Sequence, residues 1–166
     1  FDTSSYEIRN CKKIIRQGEF KQRLSGKWDA SLNKVVYEKL GSFQRPDSCM
    51  NLFTFFARLN REHGDLLDTQ WFPVEHEGSL FKSRVLIADR VKMEFDGDSI
   101  LCNHFRLDLI PSNNQIKMLD RSDYFSQNIT RPEAIKQIWV EQKSPGRIME
   151  ASVKIGPITV TATLRQ

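Results

Sequence analysis

The chain has 166 residues, a formal net charge of +4, an apolar share of 39% and a charged share of 28%, all near those of ordinary globular proteins. That length predicts one β domain over residues 1–166 whose core needs no disulfide or metal staples. No apolar run is long enough to cross a bilayer as a helix, so a soluble chain is expected.

The first forty or so residues read as short strands. Basic and apolar residues alternate, as in Phe20-Lys21-Gln22-Arg23-Leu24, and the pattern breaks at Gly18, Gly26 and Gly41. Positive charge clusters here in Lys12, Lys13 and Arg16, then in Lys21, Arg23 and Lys27. No aromatic stacking platform or reader motif accompanies it, so no specific nucleic-acid partner is expected. The cations read as solvent-facing strand positions and as edge lysines that discourage aggregation, with room for a weakly held anionic partner. Val35 to Tyr37 and Leu40 to Phe43 fit another strand, ended by Arg45-Pro46-Asp47, after which Asp47 or Ser48 can cap a helix.

That helix is predicted over about residues 48–63. Cys49, Met50, Leu52, Phe53, Phe55, Phe56, Ala57 and Leu59 are apolar, and Gly64 supplies a stop. At one hundred degrees per residue the apolar positions cover roughly 220 degrees of the circumference, more than a surface helix shows. Asn51, Thr54, Arg58, Arg61 and Glu62 fill the remaining arc. A curved sheet holding the helix in its concavity covers that much hydrocarbon most simply.

Beyond the helix the period becomes two. Trp71-Phe72-Pro73-Val74 reads as a strand that turns at Glu77-Gly78 into Leu80 to Ala88. Val91, Met93 and Phe95 then turn at Asp96-Gly97 into a strand carrying Leu101, Phe105, Leu107 and Leu109. Residues 111–131 read as an insertion loop, with about one helical turn starting at Thr130-Arg131-Pro132. Ile138-Trp139-Val140, a Ser144-Pro145-Gly146 turn, the alternation from Met149 to Ile155 and the run Ile158 to Leu164 close the chain as β. The fold class expected is therefore mainly β: a long curved antiparallel sheet, a half-barrel, wrapped around one apolar α-helix.

Catalytic chemistry finds little support. No nucleophile elbow, phosphate cradle or metal-ligand spacing is present, so no catalytic residue, metal or cofactor is expected. Cys102 and His104, two apart on a strand, share a face without being aimed at one another. His63 and His76 stand alone, and Asp65, Asp68, Glu75 and Glu77 form a sparse acidic cluster that reads as solvated loop carboxylates in preference to a general acid–base pair. Cys11, Cys49 and Cys102 show no C-x-x-C spacing. They suit either three reduced thiols or one disulfide with a spare. Asn128-Ile129-Thr130 matches a glycosylation acceptor, a tripeptide that also arises by chance. Trp71, Phe72 and Trp139 neighbour strands whose alternate residues are committed to the core. They either close the ends of the core or line a mouth that contacts an apolar ligand.

Taken in order, the apolar helix, Phe72-Pro73-Val74, the Val91 to Leu109 hairpin, Ile138-Trp139-Val140 and Gly156-Pro157-Ile158-Thr159-Val160 resemble an uncharacterised family of exported bacterial proteins, domain of unknown function 3108. That family is related in fold to the lipoprotein carriers of the Gram-negative envelope. The resemblance covers roughly the last two thirds of the chain and transfers no catalytic residue. It implies a half-barrel in the periplasm or attached to a membrane. Phe1 is not an initiator methionine, so a preceding segment is expected to have been removed or left out, and its absence from the sequence says nothing of export. The function expected is a non-enzymatic envelope protein that binds or carries a lipid or acyl group. The alternative is a structural or assembly module with a filled core and a surface-borne protein or polysaccharide interaction.

Overall fold

The computed structural model describes residues 5–112 and 122–164. The centre of the predicted 111–131 loop lies outside them. The chain is mainly β, with 57% of residues in strands and 13% in helices.

Four strands form a small antiparallel meander: β1 (Asn10–Gln17), β2 (Phe20–Asp29), β3 (Lys34–Tyr37) and β4 (Gly41–Gln44). The stretch from Val35 to Phe43 is thus two strands, because the chain reverses at Glu38 to Leu40 and Gly41 takes a positive φ of 82°. The inner face of this sheet packs Ile15, Leu24, Val35 and Tyr37 with Ile8 into a core of its own.

The remaining strands form one larger sheet. In chain order the elements are β5 (Met50–Asn51), α1 (Leu52–Arg61), α2 (Gly64–Leu67), β6 (Phe72–His76), β7 (Ser79–Phe95), β8 (Asp98–Pro111), α3 (Tyr124–Ile129), β9 (Ile135–Glu141), β10 (Ile148–Ile155) and β11 (Ile158–Thr163). The sheet order is β11-β10-β9-β8-β7-β6-β5, antiparallel except for the β5–β6 pair, and the sheet is not closed into a barrel. Both predicted hairpin turns are present, with positive φ at Glu77, Gly78, Asp96 and Gly97, the geometry that two-residue hairpins need. One extra residue, Ala88, interrupts the register between β7 and β8. There Asp68 Oδ1 accepts from the Ile87 amide at 2.8 Å, and the Thr69 amide donates to the Val85 carbonyl. Such a bulge bends the strand.

One face of the larger sheet carries Phe72, Val74, Phe81, Val85, Phe105, Leu107, Ile138, Val140 and Val153, and all three helices close over it with Leu52, Phe55, Leu59, Leu67 and Ile129. Each large apolar side chain so buried contributes about 1.5–3 kcal/mol. Helix α1 begins later than predicted because Asn51, not Asp47 or Ser48, is its cap. Its side chain accepts from the Phe53 amide at 3.0 Å, while Thr54 Oγ1 accepts from the Asn51 amide. Cys49 and Met50 therefore bury themselves at the sheet edge rather than on the helix, and Phe53 is 49% exposed. Shortened in this way, α1 is one-sided, and only a stripe at Leu52, Phe55 and Leu59 needs covering. Asn51 and Thr54, read as part of a wet strip, are buried.

The predicted helical turn after Thr130 is absent. Asp123 caps α3 instead, accepting from the Ser126 amide at 2.9 Å. The last part of the predicted insertion loop is thus helical, and Ile135 already belongs to β9. At the far edge, every residue of β11 is exposed.

Candidate functional site

The opposite, outer face of the larger sheet carries a concave feature. Pro46, Trp71, Phe72, Pro73, Leu80 and Ile110, with Phe81, Lys82 and Ser112, line an open groove of about 790 Å³. The β6–β7–β8 register creates it, since Pro73 sits opposite Lys82 and Lys82 opposite Ile110. Trp71 is 45% exposed. The Arg84 guanidinium lies 4.5 Å from its ring centroid and donates to Asp108 Oδ2 at 2.8 Å. Partial burial works against ionisation of Asp108, yet hydrogen bonds from Arg84 and Arg106 hold its carboxyl below the ordinary value. Arg84 is thereby fixed in place as a support for Trp71.

Of the three aromatic residues singled out from sequence, the structure brings Trp71 and Phe72 together at this groove. Phe72 contributes only its edge, for it is buried against Phe55 at a ring separation of 5.7 Å. Trp139 stands elsewhere. It lies on β9, three strands from β6, or about 14 Å across the sheet. There it stacks on His104 at 4.3 Å between centroids with planes 5° apart. Pro46, Leu80, Lys82 and Ile110 were not foreseen. For Leu80 and Lys82 the signal was the Glu77-Gly78 hairpin, whose tight turn fixes which β7 residues face the same way as Trp71 and Pro73.

A second feature joins the two sheets. Glu75, on β6, is fully buried and accepts from the Tyr37 hydroxyl, from Asn51 Nδ2 at 2.9 Å and from the Gly78 amide at 2.9 Å. Burial outweighs these donors and raises the Glu75 carboxyl above its ordinary value. Tyr37 is likewise held in its neutral form by burial and by Glu75. Beside it, Lys13 of β1 binds Glu77, Asp123 and Ser126, and the Ser122 hydroxyl donates to Glu77 at 2.7 Å. His76 is buried between these groups and the edge of Phe53, with no hydrogen-bond partner for either ring nitrogen among the described residues. Burial depresses it to about 4, so at neutral pH it is an uncharged packing residue.

The predicted acidic cluster therefore separates. Glu75 and Glu77 are not solvated loop carboxylates but buried links between sheets, because the smaller sheet covers this end of β6. Asp65 pairs with Arg90 at 2.6 Å on the surface, and Asp68 binds the bulge. His104 directs its ring nitrogens at Asp89, 2.8 Å away, and at Gln137, 3.0 Å away, and not at Cys102. All three cysteines are free. Burial raises Cys11 to about 11 and Cys49 to about 12, and raises Cys102 as well, which suppresses thiolate chemistry at each. Among the described residues no three His, Cys, Asp or Glu side chains converge as metal ligands. No helix described is long and apolar enough to cross a membrane.

No family model, curated protein or solved structure matches the chain.

Proposed function

We propose that the chain is a non-enzymatic, exported envelope protein that holds a lipid or acyl chain in the outer groove over Trp71, Pro73, Leu80 and Ile110. The observation that carries this reading is the groove itself, where most of the lining is apolar and Trp71 and Ile110 stand exposed. Among the described residues Leu52, Phe55, Leu59 and Ile129 pack into the space between helices and sheet. The ligand therefore lies against the outer face and not beneath the helix. Lys82 stands at the groove without an ion pair among the described residues, suited to an anionic head group. The family resemblance supports the exported location.

Displacement of a fluorescent fatty-acid probe tests the proposal. Uptake is expected, with Trp71→Ala and Ile110→Ser each weakening it at least five-fold while Trp139→Ala leaves it unchanged. Absence of uptake, or equal loss in all three variants, overturns it. The filled interior favours one second reading, a structural or assembly module whose interactions with protein or polysaccharide lie on its surface. That reading gains if native mass spectrometry after gentle purification finds no bound lipid.

A further inference from the structure

The pleat of the smaller sheet sorts its charges. On β1, Cys11, Lys13 and Ile15 face inward, and Lys13 meets Glu77 and Asp123 there. Lys12, Ile14 and Arg16 point the other way, as do Lys21, Arg23, Ser25, Lys27 and Asp29 on β2 and Lys34, Val36 and Glu38 along β3 and its turn. Register then places the cations side by side. Arg16 lies directly opposite Lys21, Ile14 opposite Arg23 and Lys12 opposite Ser25, which puts Lys12 diagonal to both Arg23 and Lys27. Lys12, Arg16, Lys21, Arg23 and Lys27 are exposed, and none forms an ion pair among the described residues. The acids on this face do not neutralise the stripe. Asp29 is engaged by the Ser31 amide and hydroxyl within its own turn. Glu19 lies in the β1–β2 turn, and Glu38, whose amide donates to the Ser25 carbonyl at 3.1 Å, is a single acid on this face against five cations and forms no ion pair among the described residues.

Like charges set opposite one another on a strand pair are unfavourable. One lysine in a different place would protect an edge, yet here five cations form a continuous field across two strands. Apolar side chains are interleaved with them: Ile14 is 47% exposed, Val36 43%, and Leu32 at the tip of the β2–β3 turn 58%. Cations that attract a surface, with aliphatic groups that can enter it, match a bilayer bearing acidic head groups. A nucleic acid is poorly served. Trp28 pairs with the inward-facing Val35, and the Arg45 guanidinium lies 4.0 Å from its ring centroid, so the ring beside the basic face already has a cation stacked on it.

We propose that the outward face of the β1–β4 sheet docks on anionic membrane surfaces, with Lys12, Arg16, Lys21, Arg23 and Lys27 contacting acidic head groups and Ile14, Leu32 and Val36 entering the interface. This goes beyond ligand binding in the outer groove and uses none of its residues. Each cation brought to such a surface strengthens partitioning about five-fold, an effect that salt screens.

The test is co-sedimentation of the whole chain with phosphatidylcholine vesicles, with and without phosphatidylserine, at low and physiological salt. Binding is expected only with phosphatidylserine, decreasing as salt rises. It is expected to fall at least twenty-fold in the Lys12→Glu/Arg23→Glu variant and several-fold in Ile14→Ser, whose net charge is unaltered. The Lys92→Glu/Lys154→Glu variant, with the same change in net charge at exposed positions elsewhere, should bind within about three-fold of the parent, as expected for screened distant charges. Circular dichroism establishes that each variant is folded; if the double reversal is not, Ile14→Ser and Lys12→Gln/Arg23→Gln provide the comparison. No binding to phosphatidylserine vesicles, equal binding without it, or equal loss in the control overturns the proposal. A single-stranded oligonucleotide that binds more tightly than the vesicles through the same residues also overturns it.

Discussion

The Tyr37 hydroxyl, on β3 of the smaller sheet, donates to the carboxylate of Glu75, on β6 of the larger one, at a place where Glu75 is wholly out of reach of solvent. The bond couples the docking of one sheet on the other to the state of a single carboxyl group. Tyr37→Phe removes that donor and leaves Glu75 to Asn51 and Gly78, with an expected loss of about 1–3 kcal/mol in urea unfolding.

The same carboxyl gives stability a pH dependence of definite sign. Its folded value is raised, so its contribution is complete at pH below the ordinary value of 4.5. As pH rises the unfolded chain releases the proton first, and stability falls until the raised folded value has been passed. Glu75→Gln, which keeps the shape and an acceptor, should flatten this fall when unfolding curves are compared across pH 4–8.

His76 acts in the opposite sense. Its folded value is depressed to about 4 from 6.5, so its contribution is complete above 6.5 and is lost as pH falls toward 4. The loss is bounded at about 3 kcal/mol by the size of the shift. His76→Phe retains an aromatic ring against Phe53 and strands no buried nitrogen. The variant should be at least as stable as the parent at pH 5, measured by thermal unfolding.

Lys13 illustrates a partly buried cation that its neighbours require. Truncation in Lys13→Met leaves Glu77 and Asp123 facing each other without a counter-charge, at an expected cost of about 3 kcal/mol. Although partial burial opposes it, the Lys13 bond holds Asp123 down to about 2. That contribution is present above the ordinary value of 3.8 and disappears as pH falls toward 2. The variant should therefore lose less on acidification than the parent does.

Gly64 is a tight place in the fold. A Cβ there would lie 2.5 Å from Asn103 Nδ2 and 2.6 Å from Phe105 Cζ. Gly64→Ala should lower stability by about 1–3 kcal/mol through displacement of Phe105 in the core, measured by thermal unfolding. Neither neighbour is close in sequence, which is why Gly64 read only as a helix stop.

Local pattern made much of the architecture legible. Asp96-Gly97 and Glu77-Gly78 announced their hairpins because few residues accept positive φ, and the period of two from Val91 onward marked a sheet with one dry face. What escaped were facts of long-range contact. The helix was read as apolar over most of its circumference because nothing local distinguishes Met50 on a helix from Met50 paired to Val74 on a strand. Glu75 and Glu77 read as solvated because the sheet that buries them comes from residues thirty and more positions earlier. Part of the candidate groove was visible in Trp71 and Phe72. The contribution of Leu80, Lys82 and Ile110 depends on cross-strand register. Trp139 was grouped with Trp71 because strand alternation gives the face of a residue but not its distance across the sheet.

A final consequence follows from β11. An inner strand spends its amide and carbonyl groups on two neighbours, but β11 bonds only to β10 among the described residues. From Ile158 to Thr163 it carries no lysine, proline or bulge to blunt the open ladder, only threonines and small aliphatics that favour extended chains. In concentrated solution this rim is where one molecule can template another, so turbidity and growing particle size should precede loss of the fold, and a lysine at Val160 should delay both.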